Sequence, residues 1–208
     1  MVNFVRLNTI LVRILKLSYL NLLWILGTLL GLVIFGIGPS TAAVFSIIRE
    51  WFRGNDDLPV LSSFIKNYKA YFKESLLLIL LYGVVGMILV IDYVYMTRWE
   101  FKLFFGILLF FYIISAAYIF PILVHYDLKS IREKIKYSFL VGFSYLQYTL
   151  VMFVIVGLVY FSIARVYPAL ITFFGISFLI FIVMKNAFMV FSRIEKESVN
   201  ETQLDLTH

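Results

Sequence analysis

The chain contains no cysteine. That excludes disulfides, thiol nucleophiles and cysteine-ligated metals at once. Histidine is almost as scarce, with His125 and the terminal His208 the two in 208 residues, so a zinc site of the H-E-x-x-H kind cannot be built. No G-x-S-x-G occurs, and Ser115, Ser144 and Ser177 have no histidine near them in sequence. The reading is therefore of a non-enzymatic chain with no catalytic residues, no cofactor and no metal. Charge is thin as well: 14% of residues are charged and 62% hydrophobic, whereas a soluble domain has roughly 45–50% apolar residues. With a mean hydropathy of +0.97, the expected solvent is the bilayer.

What fills the chain instead is a series of long apolar runs. Uncharged stretches cover Leu17 to Ile48, Leu103 to Tyr126, Tyr137 to Ala164 and Val166 to Met184, and Asp92 alone interrupts Ser75 to Thr97. Each is long enough to cross a hydrocarbon core, which takes about 20 residues. The longest polar insert, Arg53 to Glu74, falls short of the roughly 40 residues below which unaided folding is unusual, so one transmembrane domain over 1–208 is expected. Arg6, Arg13 and Lys16 precede a first run too long for a signal-peptide core, which reads as a retained span. The net charge of +6 is spread along the loops and does not point to nucleic acid.

Four spans are placed at Ser75 to Met96, Leu103 to Val124, Phe139 to Ala164 and Ala169 to Phe191. The first run is the difficult one. Leu17 to Phe52 would form a helix about 54 Å long, against a hydrocarbon core of about 30 Å. Pro39 suits the start of a new helix, and Gly36 and Gly38 precede it. A helical hairpin is expected over 17–52, broken at Gly38-Pro39, with arms Leu17 to Gly36 and Pro39 to Phe52. The short second arm either crosses fully or re-enters.

Basic residues test the count, because Lys and Arg flanking short loops stay in the cytoplasm. Six membrane segments with both termini cytoplasmic leave only Arg98, Lys102 and Arg165 outside, of 18 basic residues. Five segments would move Arg6, Arg13 and Lys16 outside as well. The fold class is thus all-α: a polytopic bundle of about six segments in a cell membrane, with a tail over 192–208.

Amphipathic helices are expected on the inner surface. Over 1–16, Asn3, Arg6, Thr9, Arg13 and Lys16 oppose Phe4, Leu7, Leu11, Ile14 and Leu15, the pattern of an interfacial helix. Over 59–74, Pro59 opens a helix in which Leu61, Phe64, Ile65, Tyr68, Tyr71 and Phe72 form one stripe and Lys66, Lys69 and Lys73 the opposite edge. Lys129, Arg132 and Lys136 repeat the pattern beside Leu128, Ile131 and Ile135. Two occupants fit this surface. Anionic lipid contributes about 1 kcal/mol per basic residue, and a cytoplasmic partner could take the aromatic face of Tyr68 and Phe72.

Within the spans, polar candidates are few. Asp92 sits near the outer end of its span, where Arg98 or Arg165 could neutralise it or where it could serve an ion-linked role. Gln147 is the other functional candidate; Asn21, Thr28, Thr149 and Thr172 read as helix-to-helix hydrogen bonders. Lys185 reads as a snorkelling side chain.

These residues carry a resemblance. Tyr19-Leu20-Asn21-Leu22-Leu23-Trp24, Gly38-Pro39-x-Thr41-Ala42-Ala43, Arg49 to Gly54 and the aromatic-basic helix after Pro59 resemble the YesL-like family of bacterial integral membrane proteins of unknown function. Ser40 stands where a smaller residue such as alanine is usual in the family. The resemblance implies an accessory role in carbohydrate import, because genes of the family commonly lie beside sugar importers of the ATP-binding-cassette (ABC) type, whose permease or ATPase subunits would be the partners. It carries no catalytic residues. The other class of function is a small transporter or channel acting as an oligomer, which would need polar residues lining a path. The scarcity of such residues favours the accessory reading.

Overall fold

The computed structural model describes residues 2–167 and 169–205, and the side chains of 11–167 and 169–197. Eight α-helices account for nearly all of it: α1 Val2–Leu30, α2 Ile34–Phe52, α3 Val60–Ala70, α4 Phe72–Tyr95, α5 Trp99–His125, α6 Ile131–Ser144, α7 Leu146–Val166 and α8 Ala169–Asp205. No strand occurs among the described residues. Five stretches are long and apolar enough to cross a membrane: Leu11–Leu30, Phe72–Tyr95, Trp99–His125, Leu146–Val166 and Ala169–Glu197. The expected sixth segment, α2, does not qualify. Its glycines, proline, hydroxyls, Arg49 and Glu50 dilute its hydropathy.

Nevertheless α2 is the hub. It packs against α1, α3, α4, α5 and α8, and every residue from Ala42 to Ile48 is buried. Small residues make this possible. A Cβ on Gly36 would lie 2.4 Å from the Thr28 carbonyl oxygen, and one on Gly38 would lie 2.7 Å from the carbonyl oxygen of Ser75 in α4. Helices in lipid gain little from apolar burial and associate through such close backbone approach. Phe45 stacks on Phe120 of α5 with ring centroids 5.8 Å apart, and Phe52 packs between Phe181 and Phe188 of α8.

The hairpin exists, but its corner is not at Gly38-Pro39. The chain reverses at Gly31–Val33, and Pro39 lies inside α2. Val33 N–H donates to Thr28 O at 2.9 Å and Leu32 N–H to Leu29 O at 3.0 Å, the paired bonds of a Schellman cap. Leu32 has φ 54, the left-handed conformation that costs a side-chain-bearing residue about 1–2 kcal/mol. Contact between the arms sets the position: a Cβ on Gly31 would sit 2.3 Å from Gly36 Cα.

Three other boundaries differ from expectation. α1 runs unbroken through residues 16 and 17, so the interfacial segment and first arm form one helix; the expected faces at Asn3, Phe4, Arg6, Leu7 and Thr9 lie outside the described side chains. The expected span Phe139 to Ala164 is divided at Tyr145 into α6 and α7. There, Gly142 of α6 is pressed against Ile114 and Tyr118 of α5, and Thr149 Oγ1 donates back toward the carbonyls of Gly142 and Tyr145 at 3.3 Å, caring for carbonyls that the break frees. Finally, the expected tail is helical as far as Asp205.

The first and last spans interlock. Asn21 Nδ2 donates to Thr172 O at 2.8 Å, and Asn21 Oδ1 accepts from the N–H groups of Ile176 and Ser177 at 3.2 Å each. One carboxamide therefore grips one turn of α8.

A basic end and its buried ion pair as the candidate functional site

One end of the bundle collects the charged groups. Arg13 donates to Asp56 Oδ2 at 3.0 Å and Lys16 to the Asp56 carbonyl at 2.5 Å, tying α1 to the loop that follows α2. Glu50 accepts from Arg49 at 3.2 Å, with Arg53 3.7 Å away. His125 Nε2 lies 3.2 Å from Glu195 Oε1, joining the C-terminal end of α5 to α8. The Arg13 and Arg53 pairs are half-exposed, and such pairs contribute about 0–1 kcal/mol each; the His125 side chain is buried beside an exposed Glu195. Their value here is positional, since they place the loops after α2 and α5 and the end of α8 on one side.

Lys134 differs. Its side chain is only 4% exposed, and its Nζ lies 2.5 Å from Glu74 Oε2, which remains 43% exposed. The helical periodicity explains why: Lys134, Ser138, Val141 and Gly142 form the buried face of α6, while Lys129, Arg132 and Lys136 are exposed. Glu74 belongs to the first turn of α4, next to Lys73. The ion pair thus fastens the two basic segments to each other, α3 with the start of α4 on one side and α6 on the other.

Of the expected surface residues, Lys66, Lys69 and Lys73 are exposed. Tyr68 and Phe72 are half-buried: the Tyr68 hydroxyl donates to Gly27 O at 3.2 Å, and the two rings pack 5.8 Å apart. Phe64, from the same stripe, is buried against Gly27. The aromatic face of α3 is therefore spent on α2 and α1, and its lysine edge faces out. Burial pushes the Tyr68 and Tyr71 phenols up, and burial followed by the nearby Glu195 and Tyr145 pushes Tyr126 up to about 12. These phenols stay neutral near pH 7.

Asp92 and Gln147 are not brought together. Gln147 is exposed at the start of α7. Asp92 is half-buried and has no ion pair among the described residues; Arg165 instead lies over the Phe161 ring and Lys102 over the Tyr93 ring.

The polar groups that do meet inside the spans form two clusters. Tyr82 of α4, Ser115 of α5 and Ser138 of α6 share hydroxyl contacts of 2.7, 3.0 and 3.3 Å, and Tyr112 Oη donates to Tyr82 O at 2.7 Å. Tyr118 of α5 bonds Thr149 of α7 and accepts from Asn186 of α8, both at 3.0 Å. Each cluster joins three helices, and its hydroxyls bond one another. A cavity of about 250 Å³ beside Tyr82 and Ser115 is walled mainly by Leu81, Val85, Phe111, Ile135 and Phe139. Among the described residues no group of His, Asp and Glu could hold a metal ion. The sequence marked Thr149 and Asn21 as hydrogen bonders; the buried serines Ser115 and Ser138 were the missed signal.

Fold and composition together define a multi-pass helical membrane protein. Residues 17–93, from α1 into α4, match the family described as "Protein of unknown function, DUF624". The chain is 37% identical over 188 residues to the uncharacterized protein YteU of Bacillus subtilis (strain 168), covering 88% of this chain and 84% of that one. It is 34% identical over 199 residues to YesL of the same organism, covering 94% of each, and 36% identical over 171 residues to YesV, covering 78% of this chain and 80% of YesV. The chain belongs to this YesL-like family. No solved structure matches it.

Proposed function

We propose that the protein is a non-enzymatic accessory component of carbohydrate (oligosaccharide) import, docking a subunit of an ABC importer on its basic end. The observation that carries the reading is the Lys134–Glu74 pair. It fixes two cation-bearing helices side by side while Lys66, Lys69, Lys73, Lys129, Arg132 and Lys136 project outward. Rigid spacing of like charges is what an acidic partner surface can recognise, and it sets encounter rate and register more than raw affinity. The importer as partner rests on the family resemblance. The positive-inside rule puts this end in the cytoplasm, where an ATPase or the inner loops of a permease would meet it. The hydroxyl clusters, whose members bond one another, favour this over a transport path through the protein.

Affinity purification in mild detergent tests the reading. Importer subunits are expected to accompany the wild-type chain and to be lost from Lys69→Glu/Arg132→Glu, two substitutions at exposed sites that leave the fold intact. Recovery of the protein alone from several detergents, or substrate flux through proteoliposomes containing only this chain, would overturn it.

A further inference from the structure

Where α4 ends and α5 begins, the two helices border an open groove of about 610 Å³. Its wall on α5 is a single stripe: Trp99, Lys102, Leu103, Gly106, Ile107 and Phe110 recur at the three- and four-residue steps that keep side chains on one face of a helix. Tyr93 is the contribution of α4. Gly106 makes the groove, since a Cβ there would meet only the Tyr93 ring, at 3.4 and 3.8 Å. Any larger side chain would fill space that is now open. Trp99, Leu103 and Ile107 are exposed, so the groove faces whatever surrounds the bundle.

The stripe is ordered by polarity along its length. Lys102 stands in the first turns of α5 with its Nζ 5.3 Å from the centre of the Tyr93 ring, and it has no carboxylate partner among the described residues. Asp92 and Glu100, the acids nearest in the chain, do not line the groove, and Arg98 adds a second cation at the same turn. Trp99 and Tyr93 flank the ammonium, as aromatic side chains do at headgroup level. From Leu103 to Phe110 the wall is apolar. The distance from Lys102 to Phe110 is about 12 Å along a helix, against about 15 Å for one leaflet's share of the hydrocarbon core. A cation among aromatics at one end and hydrocarbon for nearly a leaflet beyond it complement an acidic amphiphile standing in the membrane.

We infer that this groove is a site for a phospholipid whose headgroup carries a net negative charge, with its phosphate on Lys102 and one acyl chain laid along Leu103, Gly106 and Phe110. Lys102 supplies the choice of headgroup and Gly106 the room for the chain. The site lies at the opposite end of α4 from Glu74, so it stands or falls apart from the docking of an importer subunit.

Trp99 is the reporter for the test. The protein is reconstituted in phosphatidylcholine vesicles containing graded fractions of phosphatidylglycerol or phosphatidylcholine brominated on the acyl chains, and the quenching of Trp99 is read as the difference from Trp99→Phe. Phosphatidylglycerol is expected to be preferred at Trp99 by a factor of about five, the worth of one basic residue near a membrane surface, and the factor is expected to fall to about one in Lys102→Gln. Gly106→Leu, which fills the groove and keeps the charge, should lower the preference too. Arg165→Gln, at the α7–α8 turn, should leave it unchanged. No preference in the wild type, or one that Lys102→Gln or Gly106→Leu leaves intact, overturns the inference. So does an equal fall in Arg165→Gln, which would mark a diffuse surface potential in place of a site. The chain has no cysteine of its own, so disulfide-linked dimers of Leu103→Cys in the membrane, with Trp99 untouched by bromine, would give the groove to a second copy and overturn it equally.

Discussion

α2 and α4 invert the usual relation between hydrophobicity and burial. α4 is among the most apolar helices of the chain, yet nearly every residue from Leu80 to Tyr95 is exposed or half-buried. α2 holds glycine, proline and hydroxyl residues together with Arg49 and Glu50, and lies at the centre of the bundle. In water the apolar helix would be inside. In lipid, side chains such as Leu and Ile lose nothing by facing out, and the interior goes to residues that let backbones touch or that hydrogen-bond across helices.

That contrast is open to direct attack, and the largest effect is expected at the glycines. Gly36→Val pushes a Cβ into the Thr28 and Gly27 carbonyls and should cost at least about 3 kcal/mol. Thermal unfolding in detergent should show a collapse of the monodisperse species. Gly83→Val, on α4 with nothing within 4 Å of the new Cβ, should stay within about 0.5 kcal/mol. Equal losses from the two would mean that α4 is packed against something and the contrast is false.

The ion pair comes next and should be asymmetric. Glu74→Gln leaves a buried ammonium without a counter-charge; the cost should be about 2 kcal/mol, below the range for fully buried pairs because Glu74 reaches solvent. Lys134→Met leaves only a carboxylate that water can serve, and should cost about 1 kcal/mol or less. If both substitutions cost the same in denaturation midpoints, burial of Lys134 is not what stabilises α6.

Smaller still, Ser138→Ala should cost about 0.6 kcal/mol, the usual worth of an interhelical hydrogen bond in lipid, and should couple to Tyr82→Phe in a double-mutant cycle. The smallest effect concerns pH. Tyr126, with its folded pKa about 12 against about 10 unfolded, contributes stability that is complete below pH 10 and lost as pH rises toward 12. Tyr126→Phe should therefore match the wild type at pH 7 and lose less stability between pH 10 and 12. A difference at pH 7 would show a role for the hydroxyl that ionisation does not explain.

Much of this architecture was legible in the residues, because length and hydropathy alone fix where helices can cross a bilayer. The later spans and the existence of an early hairpin follow from the length of the apolar runs, and the amphipathic character of the segments after Pro59 and after Leu128 follows from periodicity. The corner did not, for a specific reason. Gly-Pro is the strongest local punctuation in that run, but α2 carries Pro39 in its second turn and gives up one backbone hydrogen bond there, while the real reversal uses Leu32 in a conformation that no local preference selects. Contact between Gly31 and Gly36 selects it. The division at Tyr145 is hidden in the same way, since it depends on Ile114 and Tyr118 of another helix. The site was half legible: the lysine rows could be drawn on a helical wheel, but that Lys134 turns inward is decided by Glu74, 60 residues away.

The grip of Asn21 on α8 bears on how the molecule is made. Its three backbone partners lie 151 to 156 residues further along and do not exist until synthesis is nearly complete. Through all the intervening steps of insertion, the first helix carries a buried carboxamide with no place to go, and only the arrival of the last helix closes the ring. A chain halted before Thr172 would therefore carry an unmistakable mark of incompleteness in its first span.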